Sequence, residues 1–402
     1  MVGQSMSTFC PLPWSHLATH PDGKVTLCCE SQSGSQSANG KELQTLQSTK
    51  FDFIKIMNSD NFKRVRLDML ENKQPAECKK CYKYEALGNE SKRIREIKRL
   101  EFNEDQAITI TKNDGSIDVV DFEFVELRLG NHCNLACRTC NPTSSTKWKN
   151  DYIKLNPTSN FNFLNQNLYD WPLDDEFWSA LLKNSSKIKH IYINGGEPLL
   201  IDKHLKFLQD LVSQGLSKNI SLTYSTNATV ISTLYDTVWA EFKSVKLMLS
   251  IDDLAERNYY IRHPANWSKI LEFIHWVRNL NINNPSISFF IMQTISIFNV
   301  LYITEFYDYF KHRGIHVAHN YVYDPGYYKA SNLPDDAKEM ILKQSKEYTF
   351  IEELRNFLST DANIVELEKF KTITKSLDTI RGQDFSKVFP ELDKILSPDN
   401  KK

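Results

Sequence analysis

The sequence has no surplus of charge of either sign. Its 402 residues hold 49 Lys and Arg against 50 Asp and Glu, a formal net charge of −1. That balance gives neither nucleic acid nor an anionic membrane an electrostatic footprint. An unbroken apolar run is also lacking. The most apolar stretch, 287–303, is interrupted by Ser288, Gln293, Thr294, Ser296 and Asn299, so it reads as a buried strand running into a loop and helix and not as a membrane span. Residues 1–7 lead at once to Cys10, Pro11 and Pro13, which argues against a secretory signal. There is no fixed-period repeat and no long low-complexity tract. From 141 to 402 there is no cysteine.

What is present suits a folded enzyme-sized chain. An apolar fraction of 41% with 12% aromatics is enough for substantial cores. The eight cysteines, at 10, 28, 29, 78, 81, 133, 137 and 140, fall in two groups. Close pairs in a leaderless chain point to metal ligation in a reducing cytoplasm in preference to disulfides.

Four regions are expected. Residues 1–103 hold five cysteines, the turn Pro21-Asp22-Gly23, a Ser/Gly-rich loop at 31–40 and a charged helical run at 91–101 whose Lys92, Arg93, Arg95, Lys98 and Arg99 read as a solvated face. Residues 104–121 read as a hairpin linker, with 108–111 and 117–120 flanking Asn113-Asp114-Gly115. Residues 122–330 alternate strands and helices: strands at 124–129, 188–193, 220–225, 245–251, 287–293 and 316–323, helices at 203–214, 231–242, 267–279 and 301–312. Such alternation predicts a parallel α/β sheet with right-handed crossovers, as a partial (β/α)6-type barrel. Residues 331–402 read as a helical C-terminal extension.

The segment Asn131-His132-Cys133-Asn134-Leu135-Ala136-Cys137-Arg138-Thr139-Cys140 follows the first barrel strand, at the end where barrel active sites are built. Three thiolates at these spacings can reach three irons of one cubane and leave the fourth iron open. A zinc knuckle is the competing reading, although zinc favours two close pairs or Cys/His sets. The motif resembles the signature of the radical S-adenosylmethionine (SAM) superfamily, in which the open iron chelates SAM. Thr139 stands where that family usually has an aromatic residue beside the adenine.

That resemblance assigns further residues to SAM. Asn194-Gly195-Gly196-Glu197-Pro198 closes the second strand; its glycines allow close backbone approach and Glu197 resembles the carboxylate that meets the SAM amine. Ser225 and Asn227, after the third strand, and Ser250 and Asp252, after the fourth, resemble the polar strand ends that touch ribose and methionine atoms. Arg262 resembles the partner of the SAM carboxylate, with an ordinary surface arginine as its competitor. Asn299 is placed at the adenine edge or at a helix N-cap. His312, His316 and His319 read as structural, and Tyr321, Tyr323, Tyr327 and Tyr328 as cavity or packing residues.

The N-terminal cysteines resemble a twitch domain, the shortened SPASM-type unit that carries an auxiliary [4Fe–4S] cluster. Cys10, Cys28, Cys78 and Cys81 match its ligands, and Cys29 is a spare thiol packed in the small core. By spacing alone a four-cysteine zinc site fits equally well. Usually this unit follows the barrel; here it precedes it.

Together these features imply a radical SAM enzyme of oxidoreductase or maturase type. An electron from a donor such as flavodoxin or ferredoxin would lead to a 5′-deoxyadenosyl radical that takes hydrogen from a substrate. A peptide or protein side chain, oxidised or crosslinked, is the expected substrate. Oxidation or rearrangement of a small molecule such as an aminocyclitol or nucleotide is the alternative. A non-enzymatic iron–sulfur protein is a third reading, against which Glu197 and the three-cysteine pattern argue, since an electron carrier needs no SAM site. No side chain is assigned a catalytic role.

Overall fold

The structure, a computed structural model, describes residues 7–31, 43–360 and 362–397. Most of the Ser/Gly-rich loop lies outside the described residues. The chain divides into two compact units: Met1–His132, Asn165–Tyr224 and Ser232–Lys246 form the first, and Cys133–Leu164, Ser225–Ile231 and Leu247–Lys402 the second.

In the first unit the strands are β1 (His16–Thr19), β2 (Val25–Thr26), β3 (Phe124–Leu129), β4 (His190–Gly195), β5 (Ser221–Thr226) and the start of β6 (Ser244–Ser250). Their order is β2-β1-β3-β4-β5-β6. β1 and β2 are antiparallel around the Asp22-Gly23 turn, where Gly23 adopts φ +77°. β3, β4 and β5 are parallel, as the strand–helix alternation predicts. One addition was not foreseen: β1 pairs in parallel with β3, His16 opposite Phe124 and Ala18 opposite Glu126. The N-terminal segment thus extends the parallel sheet.

Alternation explains the packing. Ile191 and Ile193 of β4 and Leu222 and Tyr224 of β5 are buried, as are Leu205, Leu208 and Leu211 on the helix Asp202–Ser213. Residues between them, Tyr192, Asn194 and Thr223, are half-buried on the opposite face.

In the second unit the rest of β6 is followed by β7 (Ile287–Ile295) and β8 (Val317–Tyr321), which pair in parallel. The expected helical extension is present as Asp335–Gln344, Ile351–Leu358, Ile364–Arg381 and Pro390–Leu396. It packs through Leu354, Phe370, Phe389 and Leu392 onto Phe298 and Tyr328; each such buried side chain contributes roughly 1.5–3 kcal/mol. Tyr328 therefore serves packing, and Tyr321 and Tyr323 lie against Phe357.

Two sequence expectations are corrected. The first arm of the 104–121 hairpin is a helix, Glu104–Ile110. Asn103 and Gln106 form a reciprocal capping box and Glu104 and Asp105 occupy the first turn, which outweighs the β-branched pattern of Ile108 to Thr111. The Asn113-Asp114-Gly115 turn does form, with Gly115 N–H donating to the Lys112 carbonyl at 2.8 Å. Second, the helix Lys92–Arg99 is not simply solvated: Arg93 and Glu96 are buried, and the Lys92 side chain is 10% exposed.

Candidate active site

In the first unit, the end of β4 lies against the backbone that leads into Cys133. A Cβ on Gly195, at φ +128°, would come within 2.4 Å of the Leu129 nitrogen, and one on Gly196 within 2.1 Å of the His132 carbonyl oxygen. Only glycine permits that approach. The Glu197 N–H donates to the His132 carbonyl at 2.7 Å. The Glu197 side chain is buried, and its Oε1 accepts from Leu199 N–H at 3.2 Å. His132 Nε2 lies 2.9 Å from Asp170 Oδ1, with Gln166 beside both. Nothing in the sequence marks this trio, because Asp170 and Gln166 belong to a connection of short 3-10 turns.

In the second unit, the loop 133–140 is fixed mainly by backbone bonds. Ala136 N–H donates to the His263 carbonyl at 2.6 Å and Arg138 N–H to the Ile261 carbonyl at 2.7 Å. Trp148 Nε1 donates to the Cys137 carbonyl at 2.7 Å. Burial pushes Cys140 up to about 12, with Cys137 and Cys133 adding to it, and Arg262 opposes the rise. Burial likewise raises Cys137, and Arg262 pulls it back. Cys133 Sγ accepts from Leu135 N–H at 3.5 Å and from Asn227 Nδ2 at 3.8 Å. Among the described residues no three His, Cys, Asp or Glu side chains converge as ligands of a single ion would; three thiols that each reach a different iron have no need to. A thiol set with Cys137 buried and Cys133 and Cys140 half-buried, beside a guanidinium, suits a group that takes thiolates and carries negative charge.

Asp252 organises the rest of this half. Fully buried, it accepts from Arg262 Nη1 at 2.9 Å and from Thr294 N–H at 3.0 Å, while its carbonyl accepts from Gln293 Nε2 at 2.9 Å and Asn299 Nδ2 at 2.7 Å. Burial works against the charge of Arg262, but Cys137, Asp252 and Cys133 outweigh it and hold the guanidinium more basic than usual. Its side chain is only 12% exposed, so it is no ordinary surface arginine. Among the described residues its buried Nε has no hydrogen-bond partner. Asn299 makes no side-chain cap. Its Nδ2 also donates to the Thr294 carbonyl and its Oδ1 accepts from Ser296 N–H at 2.8 Å, so the amide is committed to the loop it stabilises. Ser225 and Ser250 are half-buried.

The other cysteine set lies within the first unit. Cys10, Cys28, Cys78 and Cys81 line one cavity together with Lys92 and Arg93. Burial pushes Cys10 up to about 12, with Cys81 adding to it and Arg93 opposing. Burial also raises Cys28, which Lys92 opposes, and Cys78, to which Cys10 and Cys81 add. Cys29 is exposed and not a core residue; its Sγ accepts from Lys92 Nζ at 3.0 Å. Lys92 also meets Glu126 of β3 at 3.2 Å. Sequence reasoning missed Lys92, Arg93 and Glu126 as neighbours of these thiols because a run of alternating charges looks like a solvent-facing helix.

Residues 127–295, which include Cys133, Cys137 and Cys140, match the family described as the radical SAM superfamily. The domain of residues 127–295 belongs to the radical SAM superfamily. Residues 10–82 match SPASM, described as an iron–sulfur cluster-binding domain; the span begins at Cys10 and ends just beyond Cys81. A [4Fe–4S] cluster and SAM are the cofactors of the first match, and auxiliary iron–sulfur ligation goes with the second. Among solved structures it is similar to native anSMEcpe with bound AdoMet and Cp18Cys peptide (TM-score 0.40, 18% identity, 60% of this chain and 62% of that chain). It is similar also to native anSMEcpe with bound AdoMet (0.40, 18%, 60% and 63%) and to Streptococcus suis SuiB bound to S-adenosylmethionine (0.26, 13%, 50% and 47%). The chain thus spans less than two thirds of the length of these structures. No curated relative matches it. Among the described residues no helix is long and apolar enough to cross a membrane.

Proposed function

We propose that this enzyme acts on a peptide or protein side chain in the cytoplasm. In this reading Cys133, Cys137 and Cys140 hold the SAM-binding cluster, and Cys10, Cys28, Cys78 and Cys81 hold an auxiliary one. The observation that carries it is the first thiol set, three cysteines on a loop fixed by backbone bonds beside Arg262, a guanidinium with an unfilled buried donor. When bound, the cluster and SAM supply a 5′-deoxyadenosyl radical that removes hydrogen from the substrate.

The chain's own residues bind and orient. Arg262, steadied by Asp252, offers its fork to the SAM carboxylate. Glu197 receives the amine, and Gly195 and Gly196 let the backbone close on the ligand. Ser225 and Ser250 supply polar strand ends. Asn227 restrains Cys133, while Gln293 and Asn299 lock the backbone of Asp252 and act as positioning residues. Lys92 and Arg93 balance negative charge at the N-terminal cysteines. The preference for a peptide follows from the SPASM-type region, whose relatives commonly modify peptides, and a flavodoxin or ferredoxin is the fitting electron donor.

The test is deuterium transfer. Reduced, reconstituted enzyme is incubated with SAM and a deuterium-labelled host extract separated by size. Label entering 5′-deoxyadenosine from the peptide and protein fraction supports the reading. Label arising only from the small-molecule fraction replaces it with chemistry on a metabolite.

A further inference from the structure

The C-terminal extension lies outside the span that matches the superfamily, yet it reaches the cysteine loop directly. Arg138, between Cys137 and Cys140, is 1% exposed. Its Nε donates to the Tyr260 carbonyl at 3.2 Å, and its Nη2 donates to Gln383 Oε1 at 2.9 Å and to Asp378. The guanidinium stacks on the Tyr260 ring, 3.7 Å from its centroid. Asp378 is held in turn, its Oδ1 accepting from Tyr260 OH at 2.6 Å and its Oδ2 from Phe385 N–H at 2.7 Å.

A second contact lies one turn further along the same helix, Ile364–Arg381. Arg381 pairs with Asp151 at 2.9 Å and lies over the ring of Trp148, whose Nε1 holds the Cys137 carbonyl. Leu377 packs with Trp148 and Ala136 in one buried cluster, against which Cys140 rests. Buried guanidinium nitrogens remain over: among the described residues Arg138 Nη1 and both Nη atoms of Arg381 have no hydrogen-bond partner. Cationic donors left unfilled in the interior are costly unless negative charge lies nearby. Three thiolates on a cluster would provide it.

We propose that Arg138, Asp378 and Arg381 are positioning residues through which the C-terminal helix Ile364–Arg381 clamps the loop 133–140 and retains its cluster. The inference rests on the reading that Cys133, Cys137 and Cys140 carry the SAM-binding cluster. It makes the extension part of the cofactor site.

The test uses the full chain, reconstituted anaerobically, as Arg138→Met, Arg138→Lys, Asp378→Asn and Arg381→Met, with the Cys133/Cys137/Cys140 triple alanine variant as reference. Readouts are the rate of iron loss to a chelator, the reduced-cluster EPR spectrum with and without SAM, and circular dichroism of the iron-free proteins. Arg138→Met and Asp378→Asn should lose the SAM-responsive cluster about tenfold faster or more, the scale on which outer partners of metal ligands act. Arg138→Lys should recover part of the loss, and iron-free circular dichroism should be unchanged. Wild-type retention and EPR in Arg138→Met overturns the clamp, as does cluster loss that tracks general unfolding in every variant. If Arg138→Met alone fails to fold, Asp378→Asn and Arg381→Met decide between the same two results. A SAM-responsive signal persisting in the triple alanine variant would instead defeat the ligand assignment and leave the clamp without its premise.

Discussion

Gly196 sets the closest approach between β4 and the backbone leading into Cys133. A methyl group there would meet the His132 carbonyl oxygen at 2.1 Å, and the same oxygen accepts the Glu197 N–H. Gly196→Ala should therefore displace Glu197, cost about 1–3 kcal/mol of stability as overpacking does, and weaken SAM binding about tenfold or more. Thermal melts and SAM titration check this; wild-type affinity would show that the glycine turn does not serve the ligand. The thiols give a pH prediction. They titrate near 9.0 when unfolded, but burial moves Cys10 and Cys140 up to about 12 in the fold. From about pH 9 upward the folded iron-free protein thus binds more protons than the unfolded chain, so its stability falls as pH rises. Iron ligation strips those protons, so reconstitution should release acid. Melting temperatures of the iron-free protein that stay flat above that pH would contradict the buried-thiol picture.

At the scale of elements, legibility followed how local the determinants are. β3 matched its expected limits of 124–129, and β4 to β8 fell close to theirs, because alternating apolar residues declare which face is buried. The parallel pairing of β1 with β3 was not legible, because His16 to Thr19 are all buried and show no alternation and Phe124 lies more than a hundred residues away. The helix Glu104–Ile110 is masked in the sequence by the β-branched pattern of 108–111, although its capping box is the stronger determinant. Asn103→Ala should lower stability by about 1 kcal/mol through loss of that cap. Chemical denaturation measures it, and an unchanged midpoint would show that tertiary packing holds the helix without the cap.

For the whole molecule, both cysteine sets were legible as sets, because metal-ligand spacing is local. Their charged surroundings were not. Lys92 and Glu126 meet across 34 residues and Arg138 and Asp378 across 240, separations at which a sequence gives no pairing signal. Cys133, Cys137 and Cys140 are proposed to hold the cluster at which SAM is cleaved, with the N-terminal cysteines not needed for that cleavage. The measurement is 5′-deoxyadenosine formation by reconstituted enzyme with SAM and a strong reductant, comparing wild type, Cys137→Ala and the Cys78→Ala/Cys81→Ala double variant. Wild type and the double variant should form product, and Cys137→Ala none. Product from Cys137→Ala at the wild-type rate, or none from a folded double variant or from wild type carrying a full complement of iron, would overturn this assignment.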